Sequence, residues 1–231
     1  MRTFKFRKDY YEKGVRIFNK SEATFTEGVT VLVGCNGYGK STMLNIIEAE
    51  LNKNGIPCVK YDNLVDGGES SKSQYCFEHD FAALANTMMS SEGEQIHFNF
   101  GKLCATLSHF IKTGENIFRP NPFANIFRDE KEEKIESDER WILIDAIDSG
   151  LSIDNVEDVK AVFRLMMKDA ADNNKKLYII VSANAYEVVR DMMGFDVNKC
   201  EYIKFQDYES YRKFVLDCRK KKDKRYGGNS D

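Results

Sequence analysis

The sequence predicts an α/β fold: a mixed, mostly parallel sheet flanked by helices and preceded by an antiparallel β patch, in one domain spanning residues 1–231. Three observations predict it. Apolar runs of strand length recur at residues 29–33, 141–144 and 177–181, as expected of strands buried on both faces. Segments of helical spacing alternate with them. A glycine-rich turn joins the first run to a helix, in the order a phosphate-binding loop needs.

The elements follow in chain order. Residues 3–6, 16–18 and 23–25 alternate apolar and polar side chains, which predicts the antiparallel patch leading into strand 29–33. Met43, Leu44, Ile46, Ile47 and Leu51 give the helix after the loop its apolar face, and residues 56–61 read as the next strand. Residues 66–73, with Gly67 and Gly68, read as a loop, and 78–89 and 93–111 read as helices. Residues 112–140 read as a surface excursion, because ten of the twelve residues in 128–139 are charged. A strand at 141–144 then ends in Asp145, and a helix leads to the strand at 177–181.

Residues 34–42 read Gly-Cys-Asn-Gly-Tyr-Gly-Lys-Ser-Thr and fit G-x-x-x-x-G-K-[ST]. In that pattern backbone N–H groups wrap phosphate oxygens at a helix start, so Asn36, Gly37, Tyr38, Gly39, Lys40, Ser41 and Thr42 form the expected nucleotide-binding set. Lys40 would reach the β- and γ-phosphates of ATP, and Ser41 would ligate Mg²⁺. Asp145, at the tip of an apolar strand, would hold the same metal shell.

Composition limits the rest. With 42% hydrophobic residues and a net charge of −3, the chain can bury one substantial core and is not a polycation. Basicity is local, with six cations in residues 219–225 of a tail, 219–231, that reads either as solvated or as a phosphate or partner contact. The six cysteines show no C-x-x-C pair, which argues against a zinc module or disulfide framework. No apolar run has the length of a membrane span, so the expectation is a cytoplasmic protein with no membrane contact. His79, His97 and His109 are read as surface or packing residues.

Three segments carry a family resemblance. Asn36 gives the loop the form G-x-N-G-x-G-K-S-T, residues 90–95 read Ser-Ser-Glu-Gly-Glu-Gln, and residues 148–152 read Asp-Ser-Gly-Leu-Ser. With the strand ending in Asp145, they resemble the Walker A, signature, Walker B and D-loop elements of soluble ABC-type ATPases of the RecF, Rad50 and SMC-like class, lacking the coiled coil and with a reduced helical lobe. The resemblance implies an ATPase in which Ser91 and Gly93 of one subunit contact the γ-phosphate held by Lys40 of another, giving an ATP-dependent homodimer. It further implies work in DNA repair, genome maintenance or defence, with DNA and a nuclease or other effector as candidate partners. The transporter subunit of the same class fits less well, because the helical lobe is small.

Two departures shape the expected mechanism. The family's glutamate after the Walker B aspartate is Ala146 here, so hydrolysis should be slow while ATP binding and dimerisation survive. That makes a non-hydrolysing ATP sensor the alternative function. Asn184 stands in the place of the switch histidine and is the expected contact to the γ-phosphate or the water. Asp62, Asn63 and Gln74 compete for the Q-loop position, and 202–225, with Tyr202, Phe205, Tyr208, Tyr211 and Phe214, is a candidate contact surface whose aromatics read first as packing.

Overall fold

The computed structural model describes residues 1–6, 16–63, 104–115 and 137–226. Strands β1 (Arg2–Lys5) and β2 (Glu22–Phe25) pair antiparallel as a separate two-stranded sheet. The main sheet contains β3 (Gly28–Val33), β4 (Cys58–Asp62), β5 (Glu139–Asp145), β6 (Lys176–Ser182), β7 (Met193–Asp196) and β8 (Glu201–Ile203), in the order β4-β5-β6-β3-β7-β8. Among the described residues, every pairing in this sheet is parallel except β7 with β8. The helices are α1 (Lys40–Lys53), α2 (residues 104–113), α3 (Ile153–Asp172), the single turn α4 (Tyr186–Val189) and α5 (Tyr208–Tyr226).

Why β3, β5 and β6 carry apolar runs rather than polar alternation is visible in where alternate side chains go. Val31 and Val33 of β3, Ile142 and Ile144 of β5, and Leu177, Ile179 and Val181 of β6 pack with α2, α3 and α4 on one face. Leu32, Trp141, Leu143, Tyr178 and Ile180 point the other way, against α1 and the β1–β2 sheet. A strand has period two, so covering both faces removes the polar alternation and leaves a continuous apolar run. Trp141 stacks on Tyr178 with ring centroids 4.0 Å apart, and Phe4 of β1 meets the same indole edge-on.

The sequence reading of 112–140 as an excursion is corrected at both ends. Helix α2 runs through Thr113, and β5 begins at Glu139. Arg140 is buried rather than solvated, because its guanidinium donates to the carbonyls of Ile111 (3.1 Å), Ser137 (2.7 Å) and Glu139 (2.9 Å) and so ties α2 to the sheet. Residues 116–136, the loop at 66–73 and the helix at 78–89 lie outside the described residues. The tail reading changes too, since α5 is helical through residue 226 and lies on the core through the buried Tyr211 and Cys218. Phe214 packs against both cores, Tyr202 against one, and Tyr208 is exposed, so most of the aromatic set is packing. Among the described residues, no helix is long and apolar enough to cross a membrane.

Candidate functional site

Three parallel strands end at one crevice. β3 runs into the glycine loop, β5 ends on Asp145, and β6, lying between them, ends on Ser182. The carboxyl edge of an open α/β sheet is where ligands bind, and here it gathers most of the residues singled out in the sequence.

The loop is shaped to bring backbone close to an anion. Gly34 (φ 152°) could not carry a side chain, because a Cβ there would lie 2.5 Å from the Tyr38 ring. Gly39 (φ 110°) is equally constrained, its Cβ falling 2.4 Å from Ile17. Helix α1 starts at Lys40 without a side-chain cap and with no acidic residue in its first turn. Its first N–H groups and the positive end of its dipole are therefore open to a phosphate. Asn36, Gly37 and Ser41 are exposed at this mouth, with Thr42 half-buried behind them. Tyr38 differs from expectation: its side chain is fully buried beneath the loop, and its N–H donates to Cys35 O at 3.1 Å.

Lys40 is the buried cation of the site, 8% exposed. Its ammonium donates to Gly34 O at 2.8 Å, to Asn184 Oδ1 at 2.8 Å and to Cys35 O at 3.4 Å. Burial pulls its pKa below the usual lysine value, opposed in part by nearby charge that includes Asp148 and Asp145. These bonds satisfy a desolvated ammonium with acceptors that a phosphate oxygen can replace.

Asn184 is fixed from several directions. Its N–H and that of Ala185 donate to Asp148 Oδ2 at 2.7 and 2.6 Å, and Tyr211 of α5 donates its hydroxyl to Asn184 O at 2.6 Å. The residue in the switch-histidine place thus reaches Lys40 directly. Asp148, the first residue of the D-loop-like segment, points into its own chain, with Oδ1 buried and without a hydrogen-bond partner among the described residues.

On the other side of β6, Asp145 is 8% exposed and its Oδ1 accepts from the Ser182 hydroxyl and, at 3.0 Å, from the Ala146 N–H. The same N–H lies 2.9 Å from Ser182 Oγ. Ala146 adopts a left-handed backbone (φ 51°), and its carbonyl accepts from Asn63 Nδ2 at 3.1 Å. Asn63 also reaches Ser149 O at 2.8 Å, so of the Q-loop candidates it is Asn63 that braces the turn after β5. Asp62 pairs in register with Asp145, while Gln74, Ser91 and Gly93 lie outside the described residues. His109 is exposed near Glu115, and His79 and His97 are likewise outside.

Sequence reasoning missed Ser182 as the link between Asp145 and Ala146, and missed the inward bonds of Asp148. A serine closing an apolar strand carries no motif of its own. Only the strand order, with β6 between β3 and β5, reveals why a hydroxyl belongs there.

Comparison with known proteins agrees with this geometry. The family model of the KAP family P-loop domain matches residues 7–182. The DNA double-strand break repair Rad50 ATPase of Methanosarcina mazei is 37% identical over 75 residues, and that of Methanosarcina acetivorans is 36% identical over 75 residues. Each match covers 31% of this chain and 7% of the relative, so the chain matches only a small part of the curated proteins it resembles.

Proposed function

We propose that this chain, which belongs to the KAP family of P-loop domains, binds Mg-ATP at the mouth of α1 and acts as a slowly hydrolysing, nucleotide-gated switch in a DNA-linked process. The observation that carries the reading is Lys40, buried at an uncapped helix start and bonded to Asn184, inside a loop whose glycines leave room for phosphate oxygens.

The residues present fit such a ligand. Loop and α1 N–H groups would cradle the phosphates, Lys40 would exchange its carbonyl partners for β- and γ-phosphate oxygens, and Asn184 would orient the ammonium. Ser41 and Asp145 would hold Mg²⁺, which supplies charge neutralisation at the phosphates when bound. With Oδ1 of Asp145 engaged by Ser182 and Ala146, Oδ2 would be left to serve the metal. Ala146 has no side chain to take a proton from water, and Asn184 can only orient one, so turnover is slow.

The partial similarity to DNA double-strand break repair Rad50 ATPases supports the DNA-linked role, while the effector partner and the closing of two subunits around two ATP molecules through Ser91 and Gly93 rest on the sequence motifs alone. Solution mass with and without Mg-ATP tests it. The expected result is a dimer with ATP that fails to form in Lys40→Ala and Ser91→Arg. ATP binding that depends on Lys40 without any change of mass would end the dimer and leave the nucleotide site. Undiminished binding by Lys40→Ala would end the site itself.

A further inference from the structure

Helix α5 carries a face at i, i+4, i+7, i+11 and i+14 that changes character along its length. Tyr211 is buried, Val215 packs on both cores, and Cys218 is buried. The next two positions of the same stripe are Lys222 and Arg225, and they do not turn away into solvent. Lys222 Nζ donates to Asn36 O at 3.1 Å, and its Cδ lies 3.5 Å from where a Cβ of Gly37 would be. Arg225 lies over the ring of Tyr38, 5.0 Å from its centroid. The helix therefore leaves the core directly across the phosphate loop, and its cations begin where the loop does.

Between the two lies a cavity of about 440 Å³. Its walls are the loop from Gly34 to Asn36, Asn184, and from α5 the apolar Val215 and Leu216 with Arg219, Lys222 and Asp223. Asn184 is the residue bonded to the Lys40 ammonium, and that lysine serves the β- and γ-phosphates, so the cavity adjoins the terminal-phosphate end of the site. Two other cations of α5 are paired with carboxylates one turn back, Arg212 with Glu209 and Lys220 with Asp217. Lys222 has only a neutral carbonyl, and Arg219 has no carboxylate within ion-pair distance among the described residues. The thiol of Cys35 registers the convergence: burial pushes its pKa up, while the charges of Lys222 and then Lys40 pull against it.

We propose that Arg219 and Lys222 form a second phosphate-binding pair, supplied in cis by α5, that contacts the terminal phosphate of a bound nucleoside triphosphate and makes the site select triphosphate over diphosphate. Lys222 exchanges the Asn36 carbonyl for a phosphate oxygen, a charge-assisted bond in place of a neutral one. Arg219 adds a planar fork of donors suited to the same group. Asp223, the one carboxylate among the described lining residues, opposes the terminal charge and limits the affinity. The inference rests on the nucleotide site proposed above and not on its dimer.

The experiment is equilibrium binding of fluorescent N-methylanthraniloyl ATP and ADP, with Mg²⁺, to the full chain and to Lys40→Ala, Arg219→Ala, Lys222→Ala, Lys220→Ala and Asp223→Asn, each checked by circular dichroism. Arg219→Ala and Lys222→Ala are expected to weaken ATP roughly ten-fold each while ADP changes less than about two-fold, as lost charge-assisted bonds imply. Lys220→Ala should leave both ligands unchanged, and Asp223→Asn should tighten ATP alone. Equal losses for ATP and ADP, or no loss, in folded Arg219→Ala and Lys222→Ala would overturn the inference while Lys40→Ala still abolished binding. Full binding by Lys40→Ala would overturn the nucleotide site and the inference together.

Discussion

The phosphate loop and the tip of β5 open on the same crevice, yet they differ in how much of their chemistry is in place. At the loop, glycines where no side chain fits, an uncapped helix and a buried ammonium all suit the holding of an anion. At β5 the Asp145 carboxylate is held by Ser182 and by a backbone N–H, but the following residue offers only a methyl group on a left-handed backbone. The difference teaches that binding and turnover are separable here. The first is built from backbone and from a charge that burial makes costly to leave unmatched. On the proposed reading, the second would need a proton-accepting side chain at the position of Ala146.

Lys40→Ala attacks the stronger half and carries the largest expected effect. Two charge-assisted bonds to phosphate, at about 1.5–3 kcal/mol each, are lost. ATP affinity should fall roughly a hundred-fold or more by calorimetry, consistent with that sum. The nucleotide-free variant should melt no lower than the parent, because the ammonium removed is one that burial disfavours. A lower melting temperature with ATP affinity retained would reverse the comparison.

Ala146→Glu sharpens it from the other side. A carboxylate there supplies the missing proton acceptor, and steady-state phosphate release should rise by about 10²–10⁴-fold, the usual worth of a positioned general base. ATP affinity should stay within about two-fold, as for any group that acts only in the transition state. Since the replacement keeps a Cβ, it adds no backbone strain to that already present at φ 51°. Continued silence with intact binding would favour a sensor whose output is the bound state.

Ser182→Ala tests the link between the halves and has a smaller effect. It removes the hydroxyl that bridges Asp145 Oδ1 and the Ala146 N–H, leaving a buried carboxylate short of a donor. Denaturant unfolding should show a loss of about 1–3 kcal/mol, the cost of an unsatisfied buried group. The Mg²⁺-dependent part of ATP affinity should fall while Mg²⁺-free binding holds. Equal loss in both would mean that Ser182 supports the crevice as a whole rather than the metal side.

How much of this was legible in the sequence follows from the range of each interaction. The loop, its strand and its helix are local, so the spacing of Gly34, Gly39 and Lys40 and the apolar run of β3 sufficed. Asn184 was singled out by its distance past a core strand, and the structure brings it to 2.8 Å from Lys40. Ser182, Arg140 and Lys222 were not legible, since their partners lie 37, 29 and 186 residues away and polar residues carry no period that names a partner. Yet α5 did hold a signal. The stripe Tyr211, Val215, Cys218, Lys222 and Arg225 is a continuous helical face, and extending it past its apolar part assigns the last two cations to the interior side.

The smallest effect concerns the core shared by both halves and is read from alkaline pH. Burial pushes the thiols of Cys200 and Cys218 up to about 11, and raises Cys35, Cys58, Cys104, Tyr38, Tyr178 and Tyr211 as well. A group whose folded pKa is raised gives stability that is whole below its unfolded pKa, about 8.5 for a thiol, and is lost as pH climbs through the folded value. Lys40 has the opposite sign, because a lysine with a lowered folded pKa is relieved as pH rises. One relieved lysine stands against several penalised thiols and phenols, so the denaturant midpoint should be level from pH 7 to about 8.5 and decline toward pH 11. Cys218→Ala should flatten part of that decline, and since Cys218 lies on the inward stripe of α5, the same variant reports whether the helix across the phosphate loop unfolds with the sheet or before it. A two-step transition in that variant would separate α5 from the body of the domain, whereas a single transition would make the cover over the phosphate loop part of the cooperative fold.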